Sequence, residues 1–160
     1  MKRGFAFCVF AVIILTGCSR NARLYPVQGP LASQTPMPVY VAKLSGALNS
    51  GTFTATLENG DVYSGRWSVV PQPKAPKGQI PVTNPSAGAM SAEWDAVYGS
   101  GYYVAHVLGA RLYARAELKS GADKILKVEM YQPPVKTDET GINIKGVAKD
   151  SNGNIFKVAF

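Results

Sequence analysis

From Val39 onward, apolar and polar residues alternate with a period of two, the spacing of strands that bury one face. In Thr52-Phe53-Thr54-Ala55-Thr56-Leu57, the residues Phe53, Ala55 and Leu57 share one face and the threonines the other. Asn59-Gly60 follows, a pair favoured in tight hairpins because both central positions take positive φ. The run 61–70 then sets Tyr63, Trp67 and Val69 on one face with Gly65 between them, which predicts a β-hairpin. Further on, Leu112, Ala114, Ala116 and Leu118 alternate with Arg111, Tyr113, Arg115 and Glu117. Ser120-Gly121-Ala122-Asp123 forms a turn, and Leu126, Val128 and Met130 alternate with Lys127 and Glu129. The spacing of Leu108, Leu112 and Ala116 also fits a helix, so 102–119 stays open between the two, with strand–turn–strand preferred because both flanks then agree. Segments 142–149 and 155–160 pair across Asn152-Gly153, placing Phe156, Val158 and Phe160 on one face. Ser91 is suited to cap a short helix through Tyr98, with Gly99 ending it.

Counting these elements predicts a mainly β chain: a small antiparallel β-barrel or sandwich of seven or eight strands with one short helix. The expected organisation is a leader at 1–17, a Pro-rich tether at 18–39, and a single β domain at 40–160 with a Pro-rich loop at 71–90. Pro26, Pro30, Pro36 and Pro38 read as breakers of regular structure in the tether, which would extend roughly 70 Å at full stretch. On this reading the whole core lies beyond Val39. Twenty residues without regular structure, as at 71–90, point to a functional loop or an insertion.

The leader carries the most specific signal. Lys2 and Arg3 give a positive start, 5–15 are apolar, and small Thr16 and Gly17 precede Cys18. This order is that of a secretory signal peptide. The apolar run is too short for a membrane span, which takes roughly 20 residues. Leu15-Thr16-Gly17-Cys18 resembles the lipobox of bacterial lipoproteins. That resemblance implies cleavage before Cys18, acylation of its sulfur, and a membrane anchor through that residue. Ser19 in place of Asp resembles the sorting pattern for the outer membrane, facing the periplasm. Over its whole length the chain resembles small exported bacterial lipoproteins of unassigned function. Lipid-anchored lysozyme inhibitors also carry small barrels behind such signals, but their binding motif is not found here.

Composition narrows the partners. Loss of Lys2 and Arg3 with the leader leaves 15 basic against 10 acidic side chains, a net charge of +5. Behind an export signal the accessible polyanions are lipid headgroups, lipopolysaccharide or cell-wall polymers rather than nucleic acid. The two cysteines are Cys8, in the leader, and Cys18, the acylation site, so no disulfide is expected in the mature domain. No metal-ligand spacing is present, and neither metal nor other cofactor is implied.

Candidate chemistry is sparse. His106 is the only histidine, and no G-x-S-x-G pattern accompanies it. It is expected to be a partly buried structural residue, with a hydrolase using His106 as the least supported reading. Glu93 and Asp95 flank Trp94, but two positions apart on a helix they do not face the same way. The segment 59–67 resembles the opening of a MORN repeat, yet a single copy cannot stack. Trp94, Tyr98, Tyr102 and Tyr103 surround Gly99-Ser100-Gly101, and aromatic rings near such a loop suit sugars or a partner surface as well as a core. Arg111 and Arg115 flank Tyr113 on the outward face of the expected strand. These six are the candidate ligand contacts, and no catalytic residue is assigned. The expected function is a non-enzymatic, lipid-anchored envelope module binding a protein or cell-wall partner, or, as the alternative, a barrel binding a glycan or small apolar ligand.

Overall fold

The computed structural model describes residues 19–47, 49–71, 88–110, 112–134 and 143–160. The leader 1–17, Cys18, most of the Pro-rich loop 71–90 and Arg111 lie outside the described residues. The strands are β1 (Ser19–Gln28), β2 (Tyr40–Ala47), β3 (Ser50–Thr56), β4 (Val62–Val69), β5 (Tyr113–Ser120), β6 (Lys124–Tyr131), β7 (Lys145–Asp150) and β8 (Ile155–Ala159). Each is antiparallel to its neighbours in sequence, and β1 pairs with β8 to close an eight-stranded barrel. Of the two expected architectures, the barrel is the one formed. A helix, α1 (Ser91–Tyr98), and a π-helical turn at Tyr103–Val107 lie between β4 and β5.

Residues 19–28 correct the expected tether. Ala22, Leu24 and Pro26 alternate inward and are buried, while Asn21 and Arg23 point outward. Pro26 has no N–H to give a ladder, and the β1–β8 register shifts between Pro26 and Gln28, a bulge where a proline is tolerated. Pro30 begins a 3-10 turn that returns Leu31 into the barrel end, where its N–H donates to Asn154 Oδ1 at 3.0 Å. The core therefore begins well before Val39.

The remaining strands follow the period-two reading. Phe53, Ala55, Leu57, Tyr63, Leu118, Leu126, Val128, Met130, Phe156 and Val158 all enter the interior cluster. Phe53 meets Phe160 edge-on with centroids 6.5 Å apart, and Tyr40 meets Phe156 at 6.2 Å. Asn59 and Gly60 take φ of 60° and 77°, as the Asn-Gly pair demands. The second such pair behaves differently: only Gly153 has positive φ, and the Asp150 carboxylate organises the turn by accepting from Asn152 N and Asn154 N. Those groups, with Leu31 and Leu57, close this end of the barrel.

The open segment 102–119 is both things in turn: helical over Tyr103–Val107 and a strand only from Tyr113. Leu108 and Ala116 share no face, since Leu108 packs outside the barrel and Ala116 inside. The insertion lays Met90, Trp94, Tyr103 and Val107 over Tyr113, Tyr131 and Val147 on the outer wall. Strands β5 to β7 are thus buried on both faces there, and consecutive residues such as Met130-Tyr131 and Val147-Ala148 are all covered.

Because β1 supplies two ladders, a chain starting at Ser19 should fold with a β-type circular dichroism spectrum and one cooperative thermal transition. A chain starting at Pro38 leaves β2 and β8 as open edges and should lose that transition. Equal melting of the two would overturn the assignment of β1.

Candidate functional site

Opposite the sealed end, the described residues leave a cavity in the barrel. The inward positions that reach this mouth are Arg20 on β1, Leu44 and Gly46 on β2, Trp67 and Val69 on β4, and Ala114 on β5. Met130 and Gln132 at the end of β6, with Leu112 and Ile144 ahead of β5 and β7, complete the rim. They enclose a cavity of about 230 Å³ open to one side. Its wall is mostly apolar, and of the described lining residues only Arg20 is charged. Eight strands give an interior that side chains just fill, or that holds one small ligand. This barrel does the first at the sealed end and the second at the mouth.

Trp67 shapes the cavity. Its indole N–H donates to the Ser45 carbonyl at 3.0 Å, which holds the ring against β2. The opposed pair Gly46 and Gly51 makes this approach feasible: a Cβ on Gly51 would lie 1.9 Å from the Ser45 oxygen and 2.7 Å from the indole nitrogen. Sequence reasoning placed Trp67 on the inward face but did not identify the mouth. The available signal was the pair of glycines opposite an inward tryptophan.

Of the sequence-expected contacts, the structure gathers Trp94, Tyr98, Tyr102 and Tyr103 outside the barrel, where Tyr131, a lining residue of the mouth, joins them through its hydroxyl contact with Tyr102 at 2.8 Å. Trp94 is fully buried and stacks on Tyr98 at 5.5 Å, Tyr98 stacks on Tyr102 at 4.7 Å, and Tyr103 is buried beside them. Lys145 Nζ sits 5.6 Å from the Tyr98 and Tyr102 ring centroids, and Lys157 Nζ lies 5.6 Å from Tyr98. These rings are largely engaged by the protein itself. Arg115 stands on the outer wall, over the Tyr113 ring at 5.2 Å. His106 corrects the expectation of a partly buried histidine: it is exposed and tilted against Tyr102, with centroids 4.5 Å apart.

One residue read simply as a polar strand position has a larger role. Glu129 is 1% exposed, and its carboxylate accepts from Met90 N at 3.0 Å, Trp94 Nε1 at 2.9 Å and Arg115 Nε at 2.9 Å. It pins the start of α1 to the wall, where a Ser91 cap had been expected. Glu93 and Asp95 do not share a partner. Glu93 pairs with Lys149 at 2.7 Å, while Asp95 accepts from the N–H groups of Tyr103 and Gly101, bonds that lower its pKa. Among the described residues no group of three or more potential metal ligands occurs, and no helix is long and apolar enough to cross a membrane. No family model, curated protein or solved structure matches the chain.

Removing Glu129 takes the acceptor from two buried donors and the carboxylate from its ion pair with Arg115. Glu129→Ala should destabilise the fold by about 3 kcal/mol, at the low end for a broken buried pair because Arg115 stays partly solvated. Amide exchange should accelerate across 88–110 before it does in the barrel strands; uniform exchange would show that Glu129 does not hold the insertion.

Burial lifts the phenol of Tyr98 from 10.0 to about 12, with Tyr102 adding to the effect. Burial also raises Tyr113, helped by Glu129, and Tyr131, helped by its hydrogen bond to Tyr102. Below pH 10 these phenols are neutral whether the chain is folded or not. Between pH 10 and about 12 the unfolded chain ionises first and binds fewer protons, so stability should fall as pH rises through that window. A spectrophotometric titration should show part of the tyrosine signal delayed past pH 10, and a single wave at the ordinary value would contradict the packing described.

Proposed function

We propose that the protein is an exported, lipid-anchored barrel that binds a small amphiphile, its apolar part in the mouth and its polar or anionic part at Arg20 and Gln132. The observation that carries this reading is the one-ended cavity of about 230 Å³ with its mostly apolar wall and, among the described lining residues, a single charged one. Ligand sites combine an apolar concavity with a few placed polar groups in this way. The leader and Cys18 supply the export and anchoring half of the proposal, through their resemblance to a lipobox signal. The barrel wall is compatible with an aqueous setting: Lys43, Arg66, Lys127 and Lys157 point outward and apolar residues inward, the reverse of a barrel whose wall contacts lipid tails.

A specific observation favours a second reading, contact with a protein partner. Val41 and Val62 flank Thr56 on the outer face of β2–β3–β4 and are 64% and 57% exposed. The hydrolase reading gains no support, because His106 rests on Tyr102 rather than against a carboxylate in a cleft.

Trp67 is a built-in reporter, since the other tryptophan, Trp94, is buried in the outer cluster. A fatty acid brominated on its chain should quench Trp67 emission saturably in a chain starting at Ser19. Ala114→Phe, which fills the mouth, should weaken that binding roughly tenfold, a change of about 1.4 kcal/mol. Absence of saturable quenching, or equal affinity in the variant, would overturn the mouth as the site.

A further inference from the structure

The position of β1 sets the start of the described chain beside the mouth. The strand begins at Ser19, the residue after Cys18, and consecutive Cα atoms are about 3.8 Å apart. Ser19 pairs with Ser45, and Ser45 and Arg20 both line the mouth. The residue that carries the anchor is therefore joined directly to the rim of the open end, with no tether between them. The other end is sealed by Leu31, Leu57 and the Asp150–Asn154 turn, so a ligand enters by the mouth alone.

We propose that the anchor holds this mouth against the leaflet and that the cavity takes one acyl chain of an anionic lipid from it. This rests on the amphiphile-binding, lipid-anchored reading above. Three features select the occupant. The cavity of about 230 Å³ is narrow and mostly apolar-walled, a space suited to a stretch of one acyl chain. Leu112, 40% exposed, and half-buried Ile144 present apolar surface at the rim, suited to the boundary between headgroups and tails. Arg20, inward on the first strand, supplies the positive charge at headgroup level, where anionic lipid is attracted. The ligand is then drawn from the leaflet rather than from the aqueous space.

The test uses the full acylated chain reconstituted in vesicles of phosphatidylethanolamine and phosphatidylglycerol, the latter brominated on its acyl chains. A comparison protein carries a flexible Gly/Ser linker of about 20 residues between Cys18 and Ser19, giving roughly 25 Å of stand-off. Trp67 quenching in the native chain should exceed that in the linker variant roughly threefold or more, because the linker dilutes the mouth away from the bilayer. Ala114→Phe in the native chain should bring quenching down toward the linker value. Equal quenching with and without the linker overturns the docking. Quenching that survives Ala114→Phe shows a rim touching lipid without uptake and overturns the chain in the cavity. Brominated fatty acid binding by the chain from Ser19 in water is scored separately. Its loss alone strikes the ligand assignment, while anchor-dependent quenching in vesicles would still uphold the docking.

Discussion

The ladder between β1 and β8 is the constraint on which the molecule depends. Arg23 opposite Ala159, Leu24 opposite Val158 and Pro26 opposite Phe156 join the first strand to the last, and only that joint turns a meander into a cylinder. An open sheet of this length would leave two rows of unpaired N–H and C=O groups, a template for aggregation. Closure removes both edges and encloses the apolar faces at once. It also fixes the geometry of the ends: the β1 start, the β4 and β6 ends and the β5 start meet at one rim. The mouth is thus a consequence of closure, and so is its nearness to the start of β1.

Closure alone does not account for the outer wall. Tyr113, Tyr131 and Val147 would be an exposed apolar patch on β5 to β7, and the insertion between β4 and β5 exists in the described structure as their cover. Apolar packing is non-directional, so it does not by itself set where α1 begins. Glu129 does, by accepting from the Met90 backbone and the Trp94 indole while Arg115 balances its charge. A buried carboxylate is costly unless every lone pair is engaged, which makes it a stringent locator of the groups around it.

Much of the barrel was legible from alternation alone, because β2 to β4 and β8 keep one face wet. The hairpin at Asn59-Gly60 is the clearest case: pattern, turn residues and φ values agree. Three things were hidden for physical reasons. Prolines in 19–39 suggested a tether, yet Pro26 sits at a bulge where no N–H is missed, and the alternation of Ala22, Leu24 and Pro26 carried the strand signal throughout. Glu129 looked like any outward strand residue, since nothing local reveals that a segment about forty residues upstream will cover it. The aromatic group was legible as a cluster, and Trp94, Tyr98, Tyr102 and Tyr103 do meet, but which faces stay open is decided by Lys145 and Lys157 from distant strands. The mouth was the least legible feature, because a cavity is a property of closure and of what eight strands together fail to fill.

That failure to fill is informative in energetic terms. Deeper in the barrel, Phe53, Phe156, Leu118 and Leu126 are large and fully buried, whereas the mouth is lined by the small residues Gly46 and Ala114. Enclosed dry space costs roughly 24 cal/mol per Å³, so even the part of this open mouth that is shielded from water carries a cost that filling would relieve. A larger residue at Ala114 would relieve much of that cost, and such stabilising changes are readily available to proteins. Retaining small residues beside Trp67 instead makes sense where something apolar fills the space. An acyl chain does so without the loss that water meets against an apolar wall, and the proposed anchoring at Cys18 would set the rim where such chains are supplied.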